Sequence, residues 1–490
     1  GYALVSKIIK DTFSGLFKIG SLVAKNKLLV KETGARFATA KELASIFSGR
    51  NKGLLIDGKN NRISQTDSYE HVAVIAKPGS GKTTAFIIPN IFELSNSDCS
   101  MIVNDPSSEV YQLTSGHLKA QGYRVLKLSP DDLTSSSRFN PFAGLDARHT
   151  IEIEQVCAAI IMSKYSTDKE QLWNDGAISI MEILAKCLAY SQPHKLNLVE
   201  LNSLVQRFGS DGSGLDDWVA ENAVNPYYPN DKSLVESWIG LTTSNEKMLS
   251  SYVTICKTAL KQLNNPQVRE LLSSDTLELE SIRQQKTIIY LNFPESQQAY
   301  YQFIIDVFYA RLFTEVMKAK PTKHELDIFA FLDEFGNSYI HNFNTIITNV
   351  RKYRVSLSLV FQGISQLEDK YGEQRAKSIK AGIGSSLIFK GGDLDTNQEF
   401  AQVIGKRVIT QRENFTSVVQ QYNELDLLSS GQLRTLADNQ AVYVSKHHQP
   451  TIVETVNFFN HSRYAGLAKK QPAQCSEQSV KIEFDTKLRI

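Results

Sequence analysis

The chain has no run of about 18 apolar residues, so no part of its 490 residues reads as a membrane span. Its five cysteines, Cys99, Cys157, Cys187, Cys256 and Cys475, are widely spaced and form no CxxC pair. That argues against a disulfide framework or a zinc site and reads as reduced thiols on a cytosolic face. Gly (27) and Pro (13) are not in excess, which sets aside collagen-like and extensively disordered chains. An excess of one charge is lacking too: 54 Lys and Arg against 52 Asp and Glu leave +2, so bulk charge announces no nucleic-acid binder. There is no internal repeat, no secretory signal and no initiating Met. Opening on Gly1, the chain reads as a fragment or a processed product.

What is present is ordinary soluble composition, 42% hydrophobic and 22% charged. At about 150 residues per domain, two or three domains are expected. The near-zero charge is unevenly spread. Residues 1–31 carry six lysines against Asp11 alone, a net +5, with Leu4, Ile8, Phe13, Leu16, Phe17 and Leu22 at near-helical intervals. Two readings stand for this basic stub: an amphipathic helix packed on its own domain, or the cytoplasmic stub of a removed membrane anchor. Residues 150–285 hold 11 basic and 18 acidic residues, a net −7, which leaves about +4 on the rest from residue 32.

Short apolar runs alternate with helical stretches in two separated blocks. The first block holds 71–75, 100–103 and 124–128; the second holds 287–291, 328–332, 356–361 and 385–389. Such alternation predicts a mostly parallel sheet covered on both faces, an α/β fold. Between the blocks the pattern turns helical, as in 172–188 and 252–263, punctuated by turn clusters at 209–214 and 225–230. The division predicted is a stub at 1–31, a nucleotide-binding domain in two parts at 32–149 and 286–464, an inserted all-α domain at 150–285, and a tail at 465–490. The tail is polar and weakly periodic, reading as a disordered adaptor-binding extension or a frayed end.

The strongest local signal is Ala76-Lys-Pro-Gly-Ser-Gly-Lys-Thr83, followed by Thr84. A Gly-rich turn between a strand and a helix lets backbone N–H groups surround phosphate oxygens. Pro78, Gly79, Ser80, Gly81, Lys82, Thr83 and Thr84 are the expected ATP-binding residues, with Lys82 on the outer phosphates and the Thr83 hydroxyl on Mg²⁺. The first motif position is Ala76 where Gly is usual, while the tight turns fall at Gly79 and Gly81. Further on, Asp327-Ile-Phe-Ala-Phe-Leu-Asp-Glu334 is an apolar strand ending in two carboxylates. Asp333 suits Mg²⁺ and Glu334 suits activation of the attacking water. A third strand, from Arg354, ends at Gln362, whose amide can bond the γ-phosphate or the water. Arg351 and Arg354 are candidate arginine fingers toward a neighbouring subunit.

The order of these motifs resembles the coupling proteins of type IV secretion and conjugation systems, the TraG/TraD-like ATPases related to the DNA motors FtsK and HerA. The resemblance also includes residues 34–43, Val103-Asn-Asp-Pro106 with Glu109 and Tyr111, Gly122-Tyr-Arg-Val125, Phe139-Asn-Pro-Phe142, Phe361-Gln-Gly-Ile-Ser-Gln-Leu367 with Tyr371-Gly372, residues 427–433, and 442–450. Two departures matter: the family usually has Asp-Pro-Lys-Gly-Glu where this chain has Asp105-Pro-Ser-Ser-Glu109, so the role of that lysine cannot be carried over, and Ala76 for Gly is the second and weaker one.

The resemblance implies a RecA-like P-loop NTPase domain, an inserted all-α domain, an N-terminal membrane anchor at the bacterial inner membrane, and a homo-hexameric ring. A fragment without the anchor is compatible with a monomer. The implied partners are relaxase-bound single-stranded DNA, secreted effector proteins, or both, together with components of the secretion channel. Two other readings stand beside it: a cytosolic FtsK- or HerA-like DNA translocase, and a nucleotide-gated docking hub in which the acidic insert binds proteins.

Overall fold

The computed structural model describes residues 30–166, 171–411 and 421–475. The expected strands form, mostly within a residue of their predicted ends: β2 Val72–Ile75, β3 Cys99–Asn104, β4 Arg124–Leu128, β5 Thr287–Leu291, β6 Asp327–Leu332, β7 Val355–Phe361 and β8 Ser385–Phe389. They are parallel, and two antiparallel strands, β11 Gln440–Ser445 and β12 Thr451–Glu454, close one edge. The nine strands lie in the order β12-β11-β8-β2-β7-β6-β3-β5-β4. The fold is therefore the α/β class expected, with a mostly parallel sheet.

Alternate residues of each strand serve opposite faces, as the pleat requires. Val72 and Val74 join a core with Phe86, Ile91, Phe92 and Leu118, whereas Ala73 and Ile75 join one with Ile304, Phe308 and Ile347. Both faces are thus buried, which is why the strands read as continuous apolar runs. The second core continues without a break into residues 150–285. Among the described residues this stretch is helical, including Thr150–Lys164, Gln171–Ser191 and Glu246–Ala259. The helix Gln298–Val316 bridges the two regions. Its Phe308 meets Phe139 edge-on at 5.5 Å, and its Asp306 accepts from the Ser163 hydroxyl at 2.7 Å.

A separate three-stranded sheet was not foreseen. Strand β9, Lys406–Gln411, pairs antiparallel with β10, Gln421–Asp426, on one side and with β1, Val30–Gly34, on the other. The end of the proposed stub therefore enters a strand at residue 30, while residues 1–29 lie outside the described residues. At the other end, the expected tail begins at residue 465. Ala465 belongs to the helix Ser462–Leu467, and the chain stays packed to Cys475. There Ala473 N–H donates to Ser115 Oγ at 3.0 Å and the Cys475 thiol donates to the Val125 carbonyl at 3.4 Å. The cysteines are free, four of them buried. Among the described residues, no helix is long and apolar enough to cross a membrane.

Six non-glycine residues among those described adopt left-handed backbone, among them His71 and Ser108 at structural joints. His71, read as the first residue of a strand, has φ +69° and precedes β2. Its Nδ1 accepts from Leu357 N–H at 3.1 Å and its Nε2 lies 3.0 Å from the Ile347 carbonyl, so the neutral ring links β7 to the helix Phe343–Val350. Burial lowers its pKa from 6.5 to about 3. Ser108 has φ +58° at the start of the helix Glu109–Ala120, at the position where the family usually has Gly.

Two predictions follow from these joints. The unfolded His71 ring takes up a proton below about pH 6.5 and the folded one does not, so its stabilisation is full above that pH and declines as pH falls toward 3. Urea unfolding from pH 7 to pH 4 should show the stability difference between wild type and His71→Asn shrinking by about 1.4 kcal/mol per pH unit below 6.5. Equal pH dependence in the two proteins would remove His71 as the source. Ser108→Gly relieves the left-handed strain and should raise unfolding stability by about 1 kcal/mol, read as a higher denaturation midpoint.

Candidate functional site

The site forms where β2, β7 and β6 end side by side. Ile75 lies opposite Phe361, and Leu332 opposite Leu359, so the residues after all three strands emerge at one edge. Ala76 N–H donates to the Phe361 carbonyl at 2.9 Å, extending the pairing to the base of the loop. The strand order has a chemical consequence. Because β7 separates β2 from β6, Gln362 sits between the loop at 76–84 and the pair Asp333-Glu334.

The loop turns through Gly79 and Gly81 at φ +77° and +91°, a backbone that other side chains rarely adopt. The segment after it begins as a π-helical turn, Thr83–Ile87, before the α-helix Ile88–Leu94. Pro89 lacks the N–H that would bond the Ala85 carbonyl, which accounts for the widened turn. Asn90 fixes the helix by donating to the Phe86 and Leu55 carbonyls, at 2.9 and 2.7 Å, and accepting from Leu55 N–H at 2.8 Å.

Lys82 crosses from the loop to the acidic pair. Its Nζ donates to Asp333 Oδ1 at 2.6 Å and to Glu334 Oε1 at 3.0 Å. Burial opposes the charge of Lys82, but the two carboxylates outweigh it, and the amine titrates above its ordinary range. For Asp333 burial raises the pKa, with Lys82 pulling the other way. Glu334 has φ +56° and accepts a hydrogen bond from Gln362 Nε2 at 3.2 Å. The loop, Lys82, Asp333, Glu334 and Gln362 are thus brought together.

Arg351 and Arg354 are not brought to this site. They precede β7, whose seven residues place them roughly 20 Å from Gln362 at the opposite edge of the sheet. Arg354 is engaged there: its Nε pairs with Asp327 at 3.0 Å and its Nη2 donates to the Glu325 carbonyl at 2.5 Å. Asp327 also accepts from the Tyr69 hydroxyl at 2.6 Å. The guanidinium of Arg354 therefore ties β6 to β7, while Arg351 is exposed.

Three side chains at the site were missed as functional candidates. Asn104, at the end of β3, donates to the Asp333 carbonyl at 3.1 Å and accepts from the Tyr309 hydroxyl. Gln366 Oε1 accepts from Gln362 N–H at 3.1 Å and so sets the strand end that carries Gln362. Asn457 Oδ1 accepts from the Thr84 hydroxyl at 2.6 Å. The amide at the carboxyl end of β3 was a readable signal for Asn104, whereas Asn457 lies 373 residues from its partner. Where the family lysine is absent, Ser107 is exposed and its hydroxyl accepts from Glu109 N–H at 3.3 Å. Asp105 is buried and accepts from Tyr111 N–H at 2.8 Å and from Asn292 Nδ2 at 3.0 Å; burial pushes it up to about 6.

The residues fit a phosphate chain. The Ser80 hydroxyl is buried without a hydrogen-bond partner, and a Cβ added at Gly79 would meet nothing within 4 Å, so the loop keeps both a donor and open space. Thr83 and Asp333 supply hard oxygen ligands, the chemistry Mg²⁺ prefers when phosphate and water complete its shell.

The comparisons agree in kind. A model of the family described as type IV secretory system conjugative DNA transfer matches residues 27–482. Protein VirD4 of Rhizobium radiobacter is 21% identical over 426 residues, covering 83% of this chain and 59% of that protein. Protein VirD4 of Agrobacterium fabrum (strain C58 / ATCC 33970) is 21% identical over 409 residues, covering 80% and 59%. The chain thus spans about 59% of the length of these curated relatives. Among solved structures, the plasmid coupling protein TrwB in complex with ADP and Mg²⁺ superposes with a TM-score of 0.67 at 14% identity, covering 87% of this chain and 93% of that one. TrwB in complex with the non-hydrolysable GTP analogue GDPNP gives 0.68 at 15%, covering 86% and 96%. At such identities the likeness speaks for the fold, and the family model, spanning most of the sequence, speaks for descent: the chain belongs to the type IV secretory system conjugative DNA transfer family.

Proposed function

We propose that this protein is an ATP-hydrolysing coupling protein that recruits substrate and drives it into a type IV secretion channel at the cytoplasmic side of the bacterial inner membrane. The observation that carries the reading is the buried bridge from Lys82 to Asp333 and Glu334, with Gln362 on Glu334, at the carboxyl ends of adjacent strands. That is where α/β sheets bind ligands. The complexes of TrwB with nucleotides support it by fold.

In this reading Pro78–Thr84 hold the phosphates, with backbone N–H groups and the positive end of the helix facing the anion. Lys82 exchanges its carboxylate partners for phosphate oxygens. Thr83 and Asp333 hold Mg²⁺, which when bound neutralises charge on the phosphates. Glu334 orients the attacking water and takes its proton, and Gln362 holds the Glu334 carboxylate in place. Arg351, exposed across the sheet, is the arginine left to act on a neighbouring subunit of a homo-hexamer. The substrates proposed are relaxase-bound single-stranded DNA, secreted proteins, or both.

Glu334→Gln should retain ATP binding while lowering turnover by at least 100-fold, measured by phosphate release beside equilibrium binding. Unchanged hydrolysis would remove Glu334 as the water-activating residue. Lys82→Ala should weaken ATP binding itself, and unaltered affinity would overturn the phosphate-loop reading.

A further inference from the structure

The connector after β12, residues 455–461, is held hard against the phosphate loop. Val456 N–H donates to the Asp57 carbonyl at 2.8 Å. Gly58, at φ +71°, is so close to both segments that an added Cβ would stand 2.3 Å from the Val456 carbonyl oxygen and 2.6 Å from that of Ala85. Asn457 accepts from Thr84, and its Oδ1 lies 3.6 Å from where a Cβ on Gly81 would be. The helix Ser462–Leu467 then seals the contact, with Tyr464 stacked on Phe92 at 5.8 Å and its hydroxyl donating to Glu93 at 2.8 Å.

This connector lies on the flank away from the acidic pair, by two independent arguments. Thr84 and Lys82, two residues apart where the helical turn begins, leave on roughly opposite sides of its axis. In the sheet, β8, β11 and β12 lie on one side of β2 while β7 and β6 lie on the other. Gly391, just after β8, borders the Lys77 side chain on the same flank. A phosphate chain whose outer phosphates meet Lys82 has its inner phosphates on the backbone N–H groups of the loop, and the sugar and base continue beyond them.

The chemistry there suits a nucleoside. Phe459 is 54% exposed, an unusual state for a phenyl ring, and is braced edge-on at 5.4 Å by the buried Phe458. Asn457 uses its oxygen on Thr84, which leaves its Nδ2 hydrogens as donors. We propose that Asn457 and Phe459 form the ribose-and-base subsite of the bound nucleotide, Phe459 stacking on the base and Asn457 positioning the connector against Thr84. This rests on the phosphate-loop reading.

The test compares binding of ATP with binding of inorganic tripolyphosphate, both with Mg²⁺, by calorimetric titration of the intact chain. Phe459→Ala should weaken ATP about tenfold and leave tripolyphosphate within twofold, because only ATP has a base to stack. Phe459→Trp should keep the wild-type ATP affinity, and Asn457→Ala should lower the same ATP-to-tripolyphosphate ratio. Unchanged ATP binding in Phe459→Ala, or equal weakening of both ligands, overturns the subsite. Tripolyphosphate bound by the intact chain as tightly as ATP also overturns it while sparing the phosphate loop. Binding of neither ligand overturns both.

Discussion

Lys82 places a buried ammonium between Asp333 and Glu334 and so joins the loop after β2 to the end of β6 across the intervening β7. Burying three ionisable groups costs several kcal/mol per ion before their attraction is counted. The arrangement is therefore not explained by stability. Removing Lys82 leaves two neighbouring carboxylates uncompensated, whereas removing either carboxylate leaves Lys82 with one partner. On the proposed reading the cation is held ready for a phosphate chain by partners that can release it.

The strand order gives this cation its surroundings. With β7 between the loop and the acidic pair, Gln362 reaches Glu334 from one side while Asn104, from β3, holds the Asp333 carbonyl from the other. Glu334 keeps a left-handed backbone, a strain of about 1–3 kcal/mol that persists only where neighbours over-determine it. Here those neighbours are Lys82 and Gln362 on the side chain and Asn337, whose N–H donates to the Glu334 carbonyl at 3.0 Å. Each constraint comes from a different strand end, so the sheet itself fixes where the carboxylate lies.

How much of this was legible follows from how local the information is. Residues 76–84 carry their chemistry in consecutive positions, and β2 to β8 are buried on both faces, so their apolar runs stand out. Val30–Gly34 reads VKETG, with no apolar alternation, and becomes a strand only by pairing with Lys406–Gln411 far away in sequence. Asn457 matters through its approach to Thr84, which no local pattern records, whereas Gln366 lies four residues from Gln362 within the motif at 361–367. Arg354 shows the same limit, because its partner is distant in sequence: its charge is engaged by Asp327, whose burial at the foot of β6 needs one. The tail at 465–475 reads as polar, yet it packs through the scattered side chains of Leu467, Ala468, Ala473 and Cys475 on the core that holds Val110, Tyr111 and Leu118, with Ala473 N–H on Ser115.

Charge then constrains the nucleotide reading further. With its members ionised, the triad of Lys82, Asp333 and Glu334 carries one net negative charge, and the family lysine is replaced by Ser107, whose hydroxyl is spent on Glu109 N–H. The helix N-terminus contributes roughly half a positive charge, well short of a triphosphate. Arg354 cannot make up the difference, being bound across the sheet. On this reading a divalent cation at Thr83 and Asp333 is a requirement of charge balance as much as of chemistry. Beyond Lys77, which is exposed in the loop itself, further positive charge on this reading comes from the exposed edge around Arg351 of another copy. On the proposed reading, the nucleotide site at the carboxyl edge of one sheet takes that charge from the amino edge of the next, and assembly completes it.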